Sequence, residues 1–175
     1  MENSAAPIYS RPVIDFVTVA AEYCKYLEQS QHTERGEFVD VMRKLLSALY
    51  LKASVVDEPE PCEGFVEHPV TEDDYDYVRR AVAGVMGEYN DYLDVFIDDF
   101  KYSDTPIRRE VSEDLADIYQ SLRNFVEVYR QGYEEAMQVA LAETIGQFEM
   151  AWGQSLLNAL RALHDVKFGN HMETA

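Results

Sequence analysis

Apolar side chains recur at steps of three and four along most of the chain, which is the spacing of one face of an α-helix. One such stripe begins at Pro12 and a second after Thr33, and only the polar residues 30–33 separate them. Proline suits a first helical turn because its missing N–H has no helical partner there, and Thr33 is a predicted N-cap. We therefore predict two helices that fold back on each other as an antiparallel pair, the second ending near Ala53.

A long connection follows the second stripe. Residues 54–70 contain three prolines and one glycine among acidic side chains, a composition that breaks helices and predicts a loop. Thr71 with Asp74 three positions later resembles a capping box, so a third helix is predicted to start there. Its apolar stripe runs from Tyr75 to Phe96.

Two further stripes complete the pattern. One begins near Pro106 or Ser112 and stops at Gly132, and the other covers residues 133–163, where glycines provide points at which a helix can bend. No segment alternates apolar and polar residues, so strands are not expected. The pattern predicts an all-α fold, an up-and-down bundle of about five helices with a long Pro-rich acidic loop after the second helix.

Length and cysteine content limit the organisation and the compartment. A chain of 175 residues fits a single domain over residues 1–175, with 1–10 and 170–175 as expected flexible tails. Cys24 and Cys62 are too few and too isolated for a disulfide framework or a zinc site, which indicates free thiols in a reducing compartment. No secretory signal or apolar run of membrane-spanning length is visible, so we predict a cytoplasmic protein.

Charge excludes some classes of partner. The chain carries 33 acidic and 15 basic side chains, a formal net charge of -18. Such a surface repels phosphate backbones and anionic headgroups, so nucleic acid and membranes are not expected partners. Basic proteins remain electrostatically allowed, and the protein itself is expected to be a monomer or a homodimer.

Metal and cofactor chemistry has little support in the sequence. No Glu-x-x-His pair of a di-iron bundle is present, and Glu28 with His32 is better explained as a surface ion pair or as two residues that do not interact. Asp114 and Asp117 share a helical turn and are weak candidates for an oxygen-rich cation site. Carboxylates near a helix N-terminus are stabilised by the dipole without any ligand. We therefore predict no metal and no cofactor.

The last stripe contains the best candidates for a small-molecule site. Asn158, Arg161 and His164 follow one another at helical steps of three, on the same segment as Trp152. Together with Asp117, these residues are the candidate ligand-binding set. His164 is the best single candidate for proton transfer because its ordinary pKa lies near neutrality. The simpler explanation is that Trp152 belongs to the core and Arg161 pairs with a carboxylate.

Three stretches resemble an uncharacterised family of small acidic helical bacterial proteins, of Bacteroides-like origin, classified as a domain of unknown function. These stretches are Leu49-Tyr-Leu-Lys-Ala53, Asp117-Ile-Tyr-Gln-Ser-Leu-Arg-Asn-Phe125 and Trp152-Gly-Gln-Ser-Leu-Leu-Asn-Ala-Leu-Arg-Ala-Leu-His164. The resemblance covers most of the chain. It implies an all-helical fold and no established activity, so it assigns no catalytic residue.

The function is therefore unknown from sequence, and three hypotheses remain open. The first is a protein-interaction or adaptor module whose acidic surface meets a basic partner, with any exposed tyrosines enriching the binding face. The alternative is a small-molecule or metal-assisted enzyme with its site between the last two helices. A third hypothesis is an acidic mimic of DNA that occupies a nucleic-acid-binding protein.

Overall fold

A computed structural model describes residues 7–94 and 107–169. In this part of the chain the helices are α1 (Arg11–Glu28), α2 (Arg35–Ser54), α3 (Glu72–Met86), α4 (Val111–Gln131), α5 (Glu134–Gln147) and α6 (Gly153–Phe168). A π-helical turn, Phe148–Trp152, joins α5 to α6 without leaving helical backbone. Helices α5 and α6 are therefore the two halves of the predicted long last helix. Counted with that helix as one, the all-α fold of about five helices is confirmed.

Local capping signals define several helix ends. The predicted capping box is present, because the Thr71 side chain accepts from the Asp74 N–H and the Asp74 carboxylate accepts from the Thr71 N–H. Gly132 ends α4 in the left-handed region, at φ 82°, where glycine has no Cβ to clash. The predicted cap at Thr33 is wrong. Glu34 occupies the N-cap of α2, and its carboxylate accepts from the Gly36 N–H.

Helix α3 is shorter than its apolar stripe predicted. It ends at Met86, and Gly87 follows with φ 55°, a conformation that side chains strongly disfavour. A Cβ on Gly87 would lie 2.7 Å from a terminal nitrogen of Arg35, but that flexible side chain can shift, so the positive φ is what favours glycine here. Phe96 and Pro106, which the sequence placed at helix boundaries, lie outside the described residues.

A small sheet follows α3. Strand β1 (Asp91–Leu93) pairs antiparallel with β2 (Arg108–Glu110), with Tyr92 opposite Arg109. The prediction of no strands was wrong at this point. Each strand has three residues, which is too short for an alternating pattern to be recognised in sequence. The pairing holds Tyr92 beside the beginning of α4.

Helix α4 lies in the middle of the bundle and contacts α1, α3, α5 and α6. Large rings fill the core on either side of it: Phe16 stacks on Phe125 at 5.7 Å and on Trp152 at 6.3 Å between ring centroids. Three polar residues of α4 are also buried, namely Ser112, Asp114 and Asn124. The central helix therefore carries polar groups into a largely apolar interior.

The long loop and the N-terminal end of the described residues pack against α4 or α5. Residues 7–10, expected to belong to a flexible tail, form a helical turn in which Ile8 is buried, and its carbonyl accepts from the Tyr129 hydroxyl at 2.9 Å. The remaining residues of the expected tails lie outside the described ranges. No helix among the described residues is long and apolar enough to cross a membrane.

Candidate functional site

Trp152 lies in the core. Its side chain is 2% exposed, and its indole N–H donates to the carbonyl of Thr144 at 2.9 Å. The ring stacks on Phe16 on one side and contacts Phe148 at 4.7 Å between centroids on the other. With its polar atom satisfied and its faces covered, Trp152 stabilises the junction of α5 and α6.

Asn158 and Arg161 line one cleft. The cleft has a volume of about 470 Å³, and β1 forms its other wall with Tyr92 and Asp94. The Asn158 side-chain oxygen accepts from the Gln154 amide at 2.9 Å. The spacing of three therefore brings Asn158 and Arg161 together as predicted, but the opposite wall comes from the strand that the sequence did not reveal.

The other candidates lie elsewhere. His164 is exposed, and its ring lies 4.8 Å from the ring of Phe168. Asp117 is exposed and accepts from the Tyr75 hydroxyl at 2.7 Å, across the α3–α4 contact. The predicted set is thus divided between the core, the cleft and two other surfaces. The enzyme hypothesis needed these side chains around a single pocket.

Asp114 is the most perturbed carboxyl group near the cleft. Its side chain is 3% exposed, and one oxygen accepts a hydrogen bond from the Tyr92 hydroxyl. Burial raises the pKa of Asp114 to about 7, although this hydrogen bond and the Arg109 charge both act to lower it. Such a carboxyl group can gain or lose a proton near neutrality, but Tyr92 covers it.

An ion pair that sequence reasoning missed lies beside Asp114. Asp94 is 4% exposed, and the Arg109 Nε lies 2.5 Å from its carboxylate. The pair links the end of β1 to β2, so it depends on the small sheet. The available signal in the sequence was the adjacent pair Arg108 and Arg109, because two arginines together in a strongly acidic chain indicate that nearby carboxylates need to be paired.

The weak metal candidates do not come together. Asp114 and Asp117 accept from different tyrosines, Tyr92 and Tyr75, on different elements. Glu28 accepts from the Tyr119 hydroxyl at 2.8 Å and forms no pair with His32. Among the described residues, no group of three or more histidine, cysteine, aspartate or glutamate side chains is arranged to hold a metal ion.

The distribution of charge reveals a different candidate surface. Residues 53–78 and 131–160 together contain thirteen of the 33 acidic side chains and none of the 15 basic ones. They therefore account for thirteen of the eighteen net negative charges. Sequence reasoning treated the charge as an average, whereas a search for stretches without lysine or arginine would have found both segments.

These two segments meet in the fold. The loop packs against α5 through a hydrogen bond between the His68 Nε2 and a carboxylate oxygen of Glu143, 2.9 Å apart. A Cβ on Gly64 would lie 3.0 Å from a methyl carbon of Val139, so a larger residue here would have to push this loop or the valine away by a few tenths of an ångström. We define the loop–α5 face as loop residues 57–68 together with α5.

The loop–α5 face combines negative charge with exposed apolar groups. Its loop carboxylates are all exposed, and none forms an ion pair among the described residues: Asp57, Glu58, Glu60, Glu63 and Glu67. Phe65 is 86% exposed, the highest value of any large apolar side chain in the described ranges. Some acidic groups elsewhere are paired with a basic side chain, as where Asp40 contacts Lys167 at 3.0 Å.

Comparisons with known proteins agree with this fold. The chain is similar to protein BF1032 from Bacteroides fragilis, a structural genomics target with a crystal structure. The two are 40% identical, the match covers 93% of this chain and 99% of that one, and the TM-score is 0.83. Among curated proteins, none matches the chain. The family described as a domain of unknown function (DUF5063) matches residues 7–169, so the chain belongs to that family.

Proposed function

We propose that this protein is a cytoplasmic interaction module whose loop–α5 face binds a basic protein partner. The observation that carries the proposal is the concentration of thirteen net negative charges in the two segments that build this face and its flanks. A protein that needed charge only for solubility would gain as much from an even distribution. A face of a single sign instead attracts a partner of opposite sign and accelerates the encounter.

The loop carboxylates are available to a basic partner because they are exposed and, among the described residues, unpaired. Glu58, Glu60 and Glu63 are exposed and have no lysine or arginine partner among the described residues. By contrast, Glu127 on α4 contacts Arg123 at 2.8 Å and Arg130 at 3.2 Å. No lysine or arginine of the described residues therefore competes with an external cation for these loop carboxylates.

The same face opposes self-association, because two copies would bring like charges together. Nucleic acid is disfavoured for the same reason. The enzyme alternative is not favoured, since His164 and Asp117 lie away from the cleft that Asn158 and Arg161 line. Two uncombined thiols, one buried at Cys24 and one exposed at Cys62, support the cytoplasmic assignment.

The proposal is tested with a pair of charge-reversal variants. Glu58→Lys/Glu60→Lys changes the face, and Glu22→Lys/Glu37→Lys makes the same change of net charge on exposed positions of α1 and α2. Each immobilised protein is used to capture partners from cell lysate, and each captured partner is then purified for measurement of its dissociation constant.

We expect a partner of net positive charge that binds the unmodified protein and the α1/α2 variant alike. Its affinity should fall at least tenfold in the loop variant, and also between low salt and about 0.3 M salt, where screening acts within a few ångströms. A partner that binds all three proteins equally, or whose dissociation constant does not change with salt concentration, would contradict the proposal.

A further inference from the structure

An apolar slot opens beside the acidic loop. It lies between loop residues 56–62, the turn Pro7–Tyr9 and α5, and its volume is about 460 Å³, which is within the range of ligand pockets. Four apolar side chains line its floor and are themselves part of the core: Ile8, Val13, Val56 and Leu141. Core packing therefore holds the floor in place before anything binds.

The rim of the slot is negative on one side. Asp57, Glu58 and Glu60 form this wall, and all three are exposed. Gln138 and Ser10 lie among the remaining lining residues, and none of the described lysines and arginines lines the slot. A ligand that matches this slot must therefore present an apolar group to the floor and positive charge to the three carboxylates.

The backbone around the slot is restricted. Pro7 and Pro59 both line it, and proline fixes one of its two backbone angles. The Cys62 thiol donates to the carbonyl of Glu60 at 3.3 Å, which closes a tight turn in the same wall. Binding therefore requires little ordering of the loop, and ordering is one of the main costs of association.

We infer that this slot receives an aliphatic side chain of the basic partner, from a segment in which lysine or arginine flanks that side chain. The inference rests on the proposed function and adds how the partner is recognised. Exposed ion pairs each contribute little, whereas an apolar anchor in a formed pocket is the usual centre of an interface. An uncharged apolar ligand would cover the rim carboxylates without pairing them, and a second copy of the chain would bring more negative charge to them.

Two short peptides of equal charge measure the contribution of the aliphatic side chain separately from the contribution of the charges. The probes are Lys-Lys-Gly-Leu-Gly-Lys-Lys and the same peptide with serine in place of leucine, both acetylated and amidated. Amide NMR titrations at low salt give the two dissociation constants and identify the residues whose signals move. We expect the leucine peptide to bind about tenfold more tightly, because only leucine gains from burial. The moving signals should include residues 57–60 and 138–141.

A filled slot provides the matched test. Gln138→Trp places a bulky ring in the slot, and Gln147→Trp places the same ring on an exposed position of α5 outside it. Thermal melts check that both variants fold. Alkylation of Cys62 with N-ethylmaleimide fills the slot from the opposite wall of the folded protein, in case Gln138→Trp does not fold. The preference for leucine should disappear in the filled proteins and persist in Gln147→Trp.

The outcomes distinguish failure of the slot inference from failure of the proposed function. If both peptides bind the unmodified protein equally and in a salt-sensitive manner, the slot inference is wrong and the proposed function stands. If neither binds, both are wrong. If the leucine preference survives filling of the slot, the anchor lies elsewhere and the inference fails. Signals at 57–60 that move with protein concentration alone would identify a second copy as the occupant, which also overturns it.

Discussion

Asp114 offers a quantitative test of the buried polar groups in α4. Its folded-state pKa of about 7 lies above the usual 3.8, chiefly because burial penalises the charged form. Asp117 and Glu113 raise the pKa further, and Arg109 lowers it. The folded protein therefore binds this proton more tightly than the unfolded chain does.

The sign of the pH dependence follows directly. Stability from protonated Asp114 is fully present below about pH 4 and is lost as the pH rises through 7. At about 1.4 kcal/mol per pH unit between the two pKa values, the raised pKa lowers the free energy of unfolding by about 1.6 kcal/mol at pH 5 and about 4 kcal/mol at pH 8.5, relative to low pH. Asp114→Asn removes this cost, and its side-chain oxygen can still accept from Tyr92.

We therefore expect the stability of Asp114→Asn relative to the unmodified protein to increase by about 3 kcal/mol between pH 5 and pH 8.5. For a domain of this size that corresponds to a relative gain of about 8 °C in melting temperature. Urea unfolding and thermal melts across this pH range measure both quantities. Asp117→Asn is the control, because it removes the same charge from an exposed position one turn away, and Asp117 raises the pKa of Asp114 less than burial does.

A constant difference between Asp114→Asn and the unmodified protein across this range would refute the reasoning, since no ionisation would then be linked to folding. An equal pH trend in Asp117→Asn would also refute it. That result would assign the effect to net charge and not to burial of one carboxyl group.

Three further predictions concern buried polar atoms and thiols. Tyr23→Phe should cost about 1–3 kcal/mol in urea unfolding, because the fully buried hydroxyl donates to the Leu115 carbonyl at 2.7 Å. Trp152→Phe should cost at least about 1 kcal/mol by the same measurement, since it leaves a buried carbonyl without its indole donor. Iodoacetamide should modify only Cys62 in the folded protein, as mass spectrometry would show, because burial shields Cys24 and raises the pKa of its thiol.

The tyrosine and thiol predictions each have a simple control. Tyr77→Phe changes a tyrosine that is 49% exposed, so its effect should stay within about 0.5 kcal/mol. Equal effects of Tyr23→Phe and Tyr77→Phe would show that the buried bond contributes nothing. Alkylation in denaturant should add a second label, and a second label in the native protein would show that Cys24 is accessible.

The candidate site was only partly predictable from sequence. The helical spacing of Asn158 and Arg161 correctly placed them beside each other, because that spacing operates within one turn. It could not show that Tyr92 and Asp94 form the opposite wall, since those residues lie more than sixty positions earlier. Nor could it separate His164 from the cleft, because residues three apart share a side of a helix without facing the same neighbour.

What the sequence by itself determined is the set of elements whose cause is local. Apolar residues at steps of three and four, the capping box at Thr71 and the glycine at position 132 each act within a turn of helix. Only the tertiary structure decided the burial of Asp114, the pairing of the two short strands and the meeting of the acidic loop with α5. Each of these depends on the distance between segments far apart in the chain, which packing sets and local pattern does not.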